Sequence, residues 1–132
     1  MLKKILKKHK RVRGKISGTS EVPRVSVYKS IRYMYVQLID DEKSVSMYGL
    51  SDKVLTKKNN VDEEKGEKGS KKNSKIVNKQ NKTDRSYQLG LDFGKHVISL
   101  GFKKVCFDRG GHAYHGRIAS FAKGARDAGL IF

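Results

Sequence analysis

The Lys and Arg residues of this chain are concentrated in two segments, which limits how much of it can form a hydrophobic core. Residues 1–24 carry nine Lys and Arg and one acidic residue, and residues 57–82 carry nine Lys and four acidic residues. The net charge of the whole chain is +17. The remaining 82 residues are enough for one small domain. We predict a basic arm at residues 1–23 and a single α/β domain at residues 24–132, with a Lys- and Asn-rich insertion at about residues 57–82.

The basic arm indicates a dense polyanion as partner, because Lys and Arg neutralise phosphates and release their counterions. A solubilising tail and attraction to anionic lipid are the alternatives. The sizeable apolar residues near the start are Leu2, Ile5, Leu6 and Val12, without the Trp, Phe or long apolar face that membrane attachment requires. We therefore expect RNA as the partner and no membrane partner.

The insertion is too polar to fold on its own. Its apolar residues are Val61, Ile76 and Val77, so little burial is available to offset the entropy of ordering. We expect an extended surface segment that is disordered when alone.

Cysteine content and hydropathy indicate where the chain resides. The single Cys106 cannot form an intrachain disulfide, and no signal-peptide pattern or spanning apolar run is present. We expect a reducing, cytoplasmic location without a membrane span.

Three strands are predicted at the start of the domain. From Arg24 the apolar residues recur with a period of two, and the connection at residues 30–32 separates two such runs, which predicts a β-hairpin. A polar turn at residues 40–43 precedes a third strand. In the first strand Val25 and Val27 alternate with Ser26 and Tyr28. The predicted core positions of the second strand are Met34, Val36 and Leu38, with Tyr33, Tyr35 and Gln37 on the opposite face, and Val45 and Met47 indicate the third strand.

Two helices and one more strand are predicted after the insertion. The first helix has Thr83 or Asp84 as its N-cap and runs to about Leu100, where Gly101 ends it. The run at residues 105–107 predicts a central strand covered on both faces, and the last helix is predicted over about residues 115–128 with Gly129 at C′. The buried face of the first helix is predicted to hold Tyr87, Gly90, Leu91, Gly94, Val97 and Ile98, the glycines allowing close approach to the sheet.

These elements predict an α/β fold. The predicted mixed sheet is an antiparallel three-stranded meander plus a parallel strand, with helices packed on the sheet and a basic extended N-terminal arm.

A glycine-rich loop is predicted between the last strand and the last helix, at residues 108–117. Backbone N–H groups of Gly110 and Gly111 could approach a phosphate, with Arg109, His112, His115 and Arg117 as donors around them. In the alternative interpretation the glycines only permit a sharp turn, and Asp108 holds the loop by hydrogen bonds.

Two metal-dependent alternatives are weak. Cys106, His112 and His115 supply at most three of the four ligands that structural zinc usually takes. Asp40, Asp41 and Asp108 could form a two-metal nuclease site, but a turn alone explains the first two. We expect no cofactor, no metal and no enzymatic activity.

The hairpin could contact RNA through its tyrosines. Tyr33 and Tyr35 lie near Lys29 and Arg32, a combination able to stack on bases and contact phosphates. The alternative is a cross-strand aromatic cluster covered by a helix.

These motifs, in this order, resemble the bacterial-type large-subunit ribosomal protein 18 family, which binds 5S ribosomal RNA. The matching blocks cover most of the chain outside the insertion, although Val22 replaces the family's usual Arg before Pro23, and residues 47–49 replace a run of small residues. The blocks are Arg11-Val12-Arg13, Lys15-Ile16, Gly18-Thr19, Pro23-Arg24, Tyr35 to Asp41, Lys103-Lys104-Val105, Asp108 to Gly111 and Tyr114 to Arg117.

The resemblance implies a three-layer α/β domain with a mixed sheet, and a structural role in the central protuberance of the large subunit, on a cytoplasmic or organellar ribosome. The implied partners are 5S ribosomal RNA, the large-subunit ribosomal RNA and neighbouring large-subunit proteins. The implied RNA contacts are Arg11, Arg13, Lys15, Thr19 and Arg24 in the arm, Ser30, Tyr33, Tyr35 and Gln37 on the hairpin, and Arg109, Gly110, Gly111, Tyr114, His115 and Arg117 in the loop. Charge and position add Lys3, Lys4, Lys7, Lys8, His9, Lys10, Lys29, Arg32 and His112 as candidates.

Overall fold

The computed structural model describes residues 10–54 and 81–132. The predictions for the start of the arm, including Lys3, Lys4, Lys7, Lys8 and His9, and for residues 57–80 of the insertion lie outside the described residues. The elements are β1 Arg24–Lys29, β2 Met34–Asp40, β3 Val45–Ser51, α1 Lys82–Ser99, β4 Cys106–Asp108 and α2 Arg117–Asp127.

The strands form one mixed sheet in the order β3-β2-β1-β4. β1 pairs antiparallel with β2, placing Val25 opposite Leu38, and β2 pairs antiparallel with β3. β4 pairs with β1 in parallel, placing Phe107 beside Val25. The predicted mixed α/β class, with a three-stranded meander and one parallel strand, is therefore confirmed.

β4 is an edge strand of the sheet, so its predicted central position is wrong. It also begins one residue later than predicted. The C-terminal residues of the chain, and not a further strand, cover the apolar run. The N–H of Val105 donates to the carbonyl of Ile131 (3.1 Å), and the Phe107 ring stacks on Phe132 with centroids 4.9 Å apart. Val105 is buried, but Cys106 and Phe107 are only half-buried, so the predicted cover on both faces is confirmed for Val105 alone.

One face of the sheet carries the core. Its inward residues join those of α1 and α2 in a single hydrophobic cluster, so both described helices lie on the same side of the sheet. The opposite face is open at Tyr28 and Tyr35, which are 61% and 41% exposed. The predicted core positions Met34, Val36 and Leu38 are all buried, and so are Val25 and Val27 on β1.

The two helices contact each other through glycines. A Cβ at Gly90 would overlap the carbonyl oxygen of Phe121, and one at Gly94 would lie 2.6 Å from the Cβ of Ala128. A Cβ at Gly124 would overlap the carbonyl oxygen of Tyr87. The glycines therefore allow close approach of α1 to α2, and not to the sheet as predicted.

This contact changes which residues of α1 face the core. Because the glycine side of α1 is turned toward α2, Leu89 and Phe93 occupy the core, and both are fully buried. They were missing from the predicted face, whereas Tyr87, Leu91 and Ile98 are only half-buried.

The helix ends agree with prediction where glycine sets them. Gly101 (φ +94°) and Gly129 (φ +107°) follow α1 and α2 with the positive φ that favours glycine. The predicted start of α1 is wrong, because it begins at Lys82 after Asn81 and no side chain caps it. α2 begins at Arg117 and not at His115, because Gly116 has a non-helical φ of +54°.

We expect Gly90→Ala to destabilise the protein. Alanine normally favours a helix, but here the methyl group would collide with the backbone of α2, at a cost of about 1 to 3 kcal/mol. Urea unfolding at 25 °C would measure this. As a control, Gly49→Ala on β3 places its Cβ 3.7 Å from the nearest atom and should change stability by less than about 0.5 kcal/mol. Equal stabilities of both variants would contradict the close helix contact.

Candidate nucleic-acid interface

Arg24, Asp41 and Asp108 form an ion triad, the Arg24 triad, in which Arg24 and Asp108 are buried and the Asp41 side chain is 29% exposed. The guanidinium donates to both carboxylate oxygens of Asp41 (2.6 and 2.7 Å) and to Asp108 Oδ2 (3.1 Å), and Arg24 is 5% exposed. The hydrogen bonds from Arg24 lower the pKa of Asp41 to about 2, against the opposing effect of burial. Arg24 was predicted to contact RNA, but its guanidinium is hydrogen-bonded to two carboxylates inside the fold.

The arm is joined to the β2–β3 turn next to the Arg24 triad. The N–H of Gly18 donates to Asp41 Oδ2 (2.8 Å), and the N–H of Asp41 donates back to the carbonyl of Gly18 (3.2 Å). The Thr19 hydroxyl accepts from the N–H of Val22 (3.0 Å). Thr19, another predicted RNA contact, therefore shapes the arm's turn.

The glycine loop is held by the third member of the Arg24 triad. Asp108 Oδ1 accepts from the N–H of Gly110 (2.9 Å). Gly110 and Gly111 have φ of +58° and +74°, and a Cβ at Gly110 would overlap the carbonyl oxygen of Val27. These contacts match the interpretation in which the glycines permit the turn and Asp108 holds it.

Arm and glycine loop meet at a cleft of about 280 Å³. Three of its lining side chains, Arg11, Lys15 and Arg109, are exposed cations. The lining residues, which define the basic cleft, are Arg11, Val12, Lys15, Ile16, Phe107 and Arg109. The structure thus brings together cations predicted in two segments that are more than ninety residues apart. Lys10 and Arg13 are exposed on the helical turn that starts the described arm.

The open face of the sheet carries an aromatic pair. Tyr28 on β1 is paired with Tyr35 on β2, and their ring centroids are 6.2 Å apart. Tyr28 was absent from the predicted contacts, although its alternation with Val27 indicated the outward face. Tyr33 is half-buried with the Lys53 ammonium 5.8 Å from its ring centroid. Gln37 and Arg32 are exposed, and Lys29 is half-buried.

Arg117 holds the turn between β1 and β2. Its guanidinium donates to the carbonyl of Ser30 (3.0 Å), to Asp52 Oδ2 (3.0 Å) and to Ser86 Oγ (3.3 Å). Ser30 Oγ in turn accepts from the N–H of Tyr33 (2.9 Å). Ser30 and Arg117, both predicted RNA contacts, thus stabilise the fold. No signal in the sequence indicated Asp52, because its partners Met34 and Arg117 are distant along the chain.

The other predicted contacts of the glycine loop lie at or near the surface: His112 is half-buried, and Tyr114 and His115 are exposed. The N–H of His112 donates to the carbonyl of Arg109 (3.1 Å), and the His115 ring lies 3.4 Å from the carbonyl of Ala113. Tyr114 is exposed and accepts a hydrogen bond from Arg126 (2.8 Å). The Cys106 thiol is half-buried, and this burial raises its pKa.

The described residues contain no group of three His, Cys, Asp or Glu that could hold a metal. Asp41 and Asp108, which the nuclease alternative required, lie on either side of a guanidinium. Neither helix in the described ranges is long and apolar enough to cross a membrane.

Comparison with known proteins gives the family. The family model described as ribosomal L18 of archaea, bacteria, mitochondria and chloroplasts matches residues 2–132. The chain belongs to this ribosomal L18 family. The predicted resemblance is thereby confirmed.

Three bacterial relatives illustrate the similarity. Large ribosomal subunit protein uL18 of Clostridium kluyveri is 42% identical over 127 residues, covering 96% of this chain and 90% of the relative. The protein of the same name from Lacticaseibacillus casei is 40% identical over 126 residues, with the same coverage. That from Staphylococcus aureus strain JH9 is 36% identical over 127 residues, covering 96% and 91%.

Membership of the family defines the general role of the chain. It is a ribosomal protein of the large subunit, located on the ribosome in the cytoplasm, and association with ribosomal RNA follows from the family. Its role is structural.

We expect the Arg24 triad to make stability depend on pH. Because the pKa of Asp41 is about 2 in the fold and near 3.8 when unfolded, its contribution is present above pH 4 and is lost as the pH falls toward 2. Asp41→Asn should cost up to about 2 kcal/mol at pH 7 and progressively less toward pH 2. Urea unfolding across this range would measure it, with the exposed Glu21→Gln as control. Parallel pH profiles of wild type and Asp41→Asn would contradict the assignment.

Proposed function

We propose that the protein binds 5S ribosomal RNA and helps to attach it to the large ribosomal RNA in the central protuberance, beside neighbouring large-subunit proteins. The observation that supports this most is the basic cleft, where cations of the arm and the glycine loop converge. Its lining also includes the apolar side chains of Val12, Ile16 and Phe107. On such a surface the charged ends of Lys and Arg can bind the phosphate backbone, while their apolar stems pack on the apolar lining.

The distribution of acids favours this use of the surface. Asp41 and Asp108 are bound to Arg24, and Asp52 is bound to Arg117, so these carboxylates are partly neutralised inside the fold. The exposed cations Arg11, Lys15 and Arg109 lie outside these ion pairs. A polyanion approaching the cleft would therefore meet positive charge first.

The aromatic pair supplies a second kind of contact. Tyr28 and Tyr35 present exposed rings on the open face, where unstacked bases or riboses can pack. The exposed Gln37 and Arg32 add polar groups near this hairpin. We propose that the cleft contacts the RNA backbone while the hairpin recognises exposed bases.

The cleft predicts a salt-dependent affinity. Each of Arg11→Gln, Lys15→Gln and Arg109→Gln should reduce the slope of log K against log salt by about 0.7 to 0.9 in magnitude, because one phosphate contact is lost. Filter binding to 5S RNA between low and moderate salt would measure this.

The control for the cleft is Lys123→Gln, which removes an exposed cation of α2 outside the cleft and should leave the slope nearly unchanged. A structured RNA of equal length but unrelated sequence should bind more weakly than 5S RNA. Equal affinities for the two RNAs would refute the proposed function.

The aromatic pair predicts a salt-independent loss. Tyr28→Leu should weaken binding to 5S RNA by about 1 to 3 kcal/mol without changing the salt slope, because stacking is lost while charge is retained. Tyr28→Phe keeps the ring and should bind nearly as wild type. If Tyr28→Leu also binds as wild type, the open face of the hairpin does not contact the RNA.

A further inference from the structure

The Arg24 triad connects two segments that line the basic cleft. On one side, Asp41 accepts a hydrogen bond from the N–H of Gly18, and Gly18 follows the cleft residue Lys15 by three positions. On the other side, Asp108 accepts from Gly110, and Arg109 lies between these two residues. A continuous series of hydrogen bonds therefore runs from the arm through the guanidinium to the glycine loop.

The contacts around Arg24 leave little freedom in this connection. The bidentate bond to Asp41 fixes the plane of the guanidinium, and the third bond then sets the position of Asp108. A Cβ at Gly18 would lie 2.6 Å from the backbone nitrogen of Arg24, so the arm packs directly on this residue. The N–H of Cys106 also donates to the carbonyl of Pro23 (2.9 Å), next to Arg24.

We propose that Arg24 is a positioning residue, which acts through Asp41 and Asp108 to hold the cations of the arm and of the glycine loop at the spacing that RNA requires. The proposal rests on the proposed function, because the bound ligand is 5S RNA. Arg24 itself stays inside the fold and does not contact phosphate. A cleft assembled before binding loses less entropy when the RNA is bound.

Positioning and direct phosphate contact predict different effects of charge. If Arg24 bound a phosphate, Arg24→Lys would retain most of the affinity, and removal of the nearby acid Asp108 would strengthen binding to a polyanion. If Arg24 positions the cleft, both changes weaken binding. Asp108→Asn is therefore the sharper variant, since it adds one unit of positive charge and is still expected to lose affinity.

The first experiment measures binding of 5S RNA to wild type, Arg24→Lys, Asp108→Asn and Glu21→Gln at several salt concentrations. Circular dichroism establishes that each variant is folded at the temperature used. We expect Arg24→Lys and Asp108→Asn to weaken binding about tenfold with an unchanged salt slope, because pre-organisation and not a phosphate contact is lost. Glu21→Gln, which removes an exposed acid of the same arm, should bind as wild type or more tightly. Binding of Asp108→Asn that equals or exceeds that of wild type would overturn the proposal.

The second experiment needs no RNA and follows amide hydrogen exchange in the free protein. We expect Asp41→Asn to accelerate exchange of the Gly110 N–H, although that group donates to Asp108, and Asp108→Asn to accelerate exchange of the Gly18 N–H, which donates to Asp41. The N–H of Gly129, which donates to Arg126 at the end of α2, is the reference.

The two experiments separate the possible failures. If each substitution changes only the amide bound to the substituted carboxylate, the triad does not couple the arm to the loop, and the proposal is wrong whatever the RNA does. If wild type shows no preference for 5S RNA while the exchange is coupled, the proposed function fails and the coupling stands.

Discussion

The contact of the Arg24 guanidinium with Asp41 and Asp108 is the interaction on which the arrangement of this protein depends. Burying the charged groups of Arg24 and Asp108, with Asp41 partly covered beside them, costs several kcal/mol per buried ion unless their hydrogen bonds are satisfied. Here each carboxylate accepts an additional backbone N–H, from Gly18 and from Gly110. The same bonds that offset the desolvation of the charges therefore join the arm, the sheet and the glycine loop.

The packing of the helices determines which face of the sheet is available. Because Gly90 and Gly124 let α1 and α2 approach each other closely, both helices fit beside one another on one side of the sheet. Phe93 and Phe121 meet beneath them, with ring centroids 5.9 Å apart. The other face is left with exposed tyrosines, so close helix packing contributes indirectly to the proposed RNA surface.

Charge is divided between the interior and the surface of the described part. Asp41, Asp52 and Asp108 are bound to Arg24 and Arg117, which hold the arm, the hairpin and the loop in place. The cations of the basic cleft are exposed. Arginine thus has two roles in this chain, and its position in the fold decides between them: a guanidinium inside the fold satisfies carboxylates, whereas an exposed guanidinium is available to phosphate.

The sequence by itself determined the alternating strands, the helix ends at Gly101 and Gly129, and the basic character of the arm, because these follow from period, backbone freedom and local charge. The family could also be recognised from the sequence, because each matching block is a short run of consecutive residues. Only the tertiary structure decided that the glycines of α1 face α2, that β4 lies at the sheet edge, and that Arg24 and Arg117 are bound to carboxylates. Each of these depends on residues brought together from distant parts of the chain, and neither periodicity nor composition records which distant partner a side chain meets.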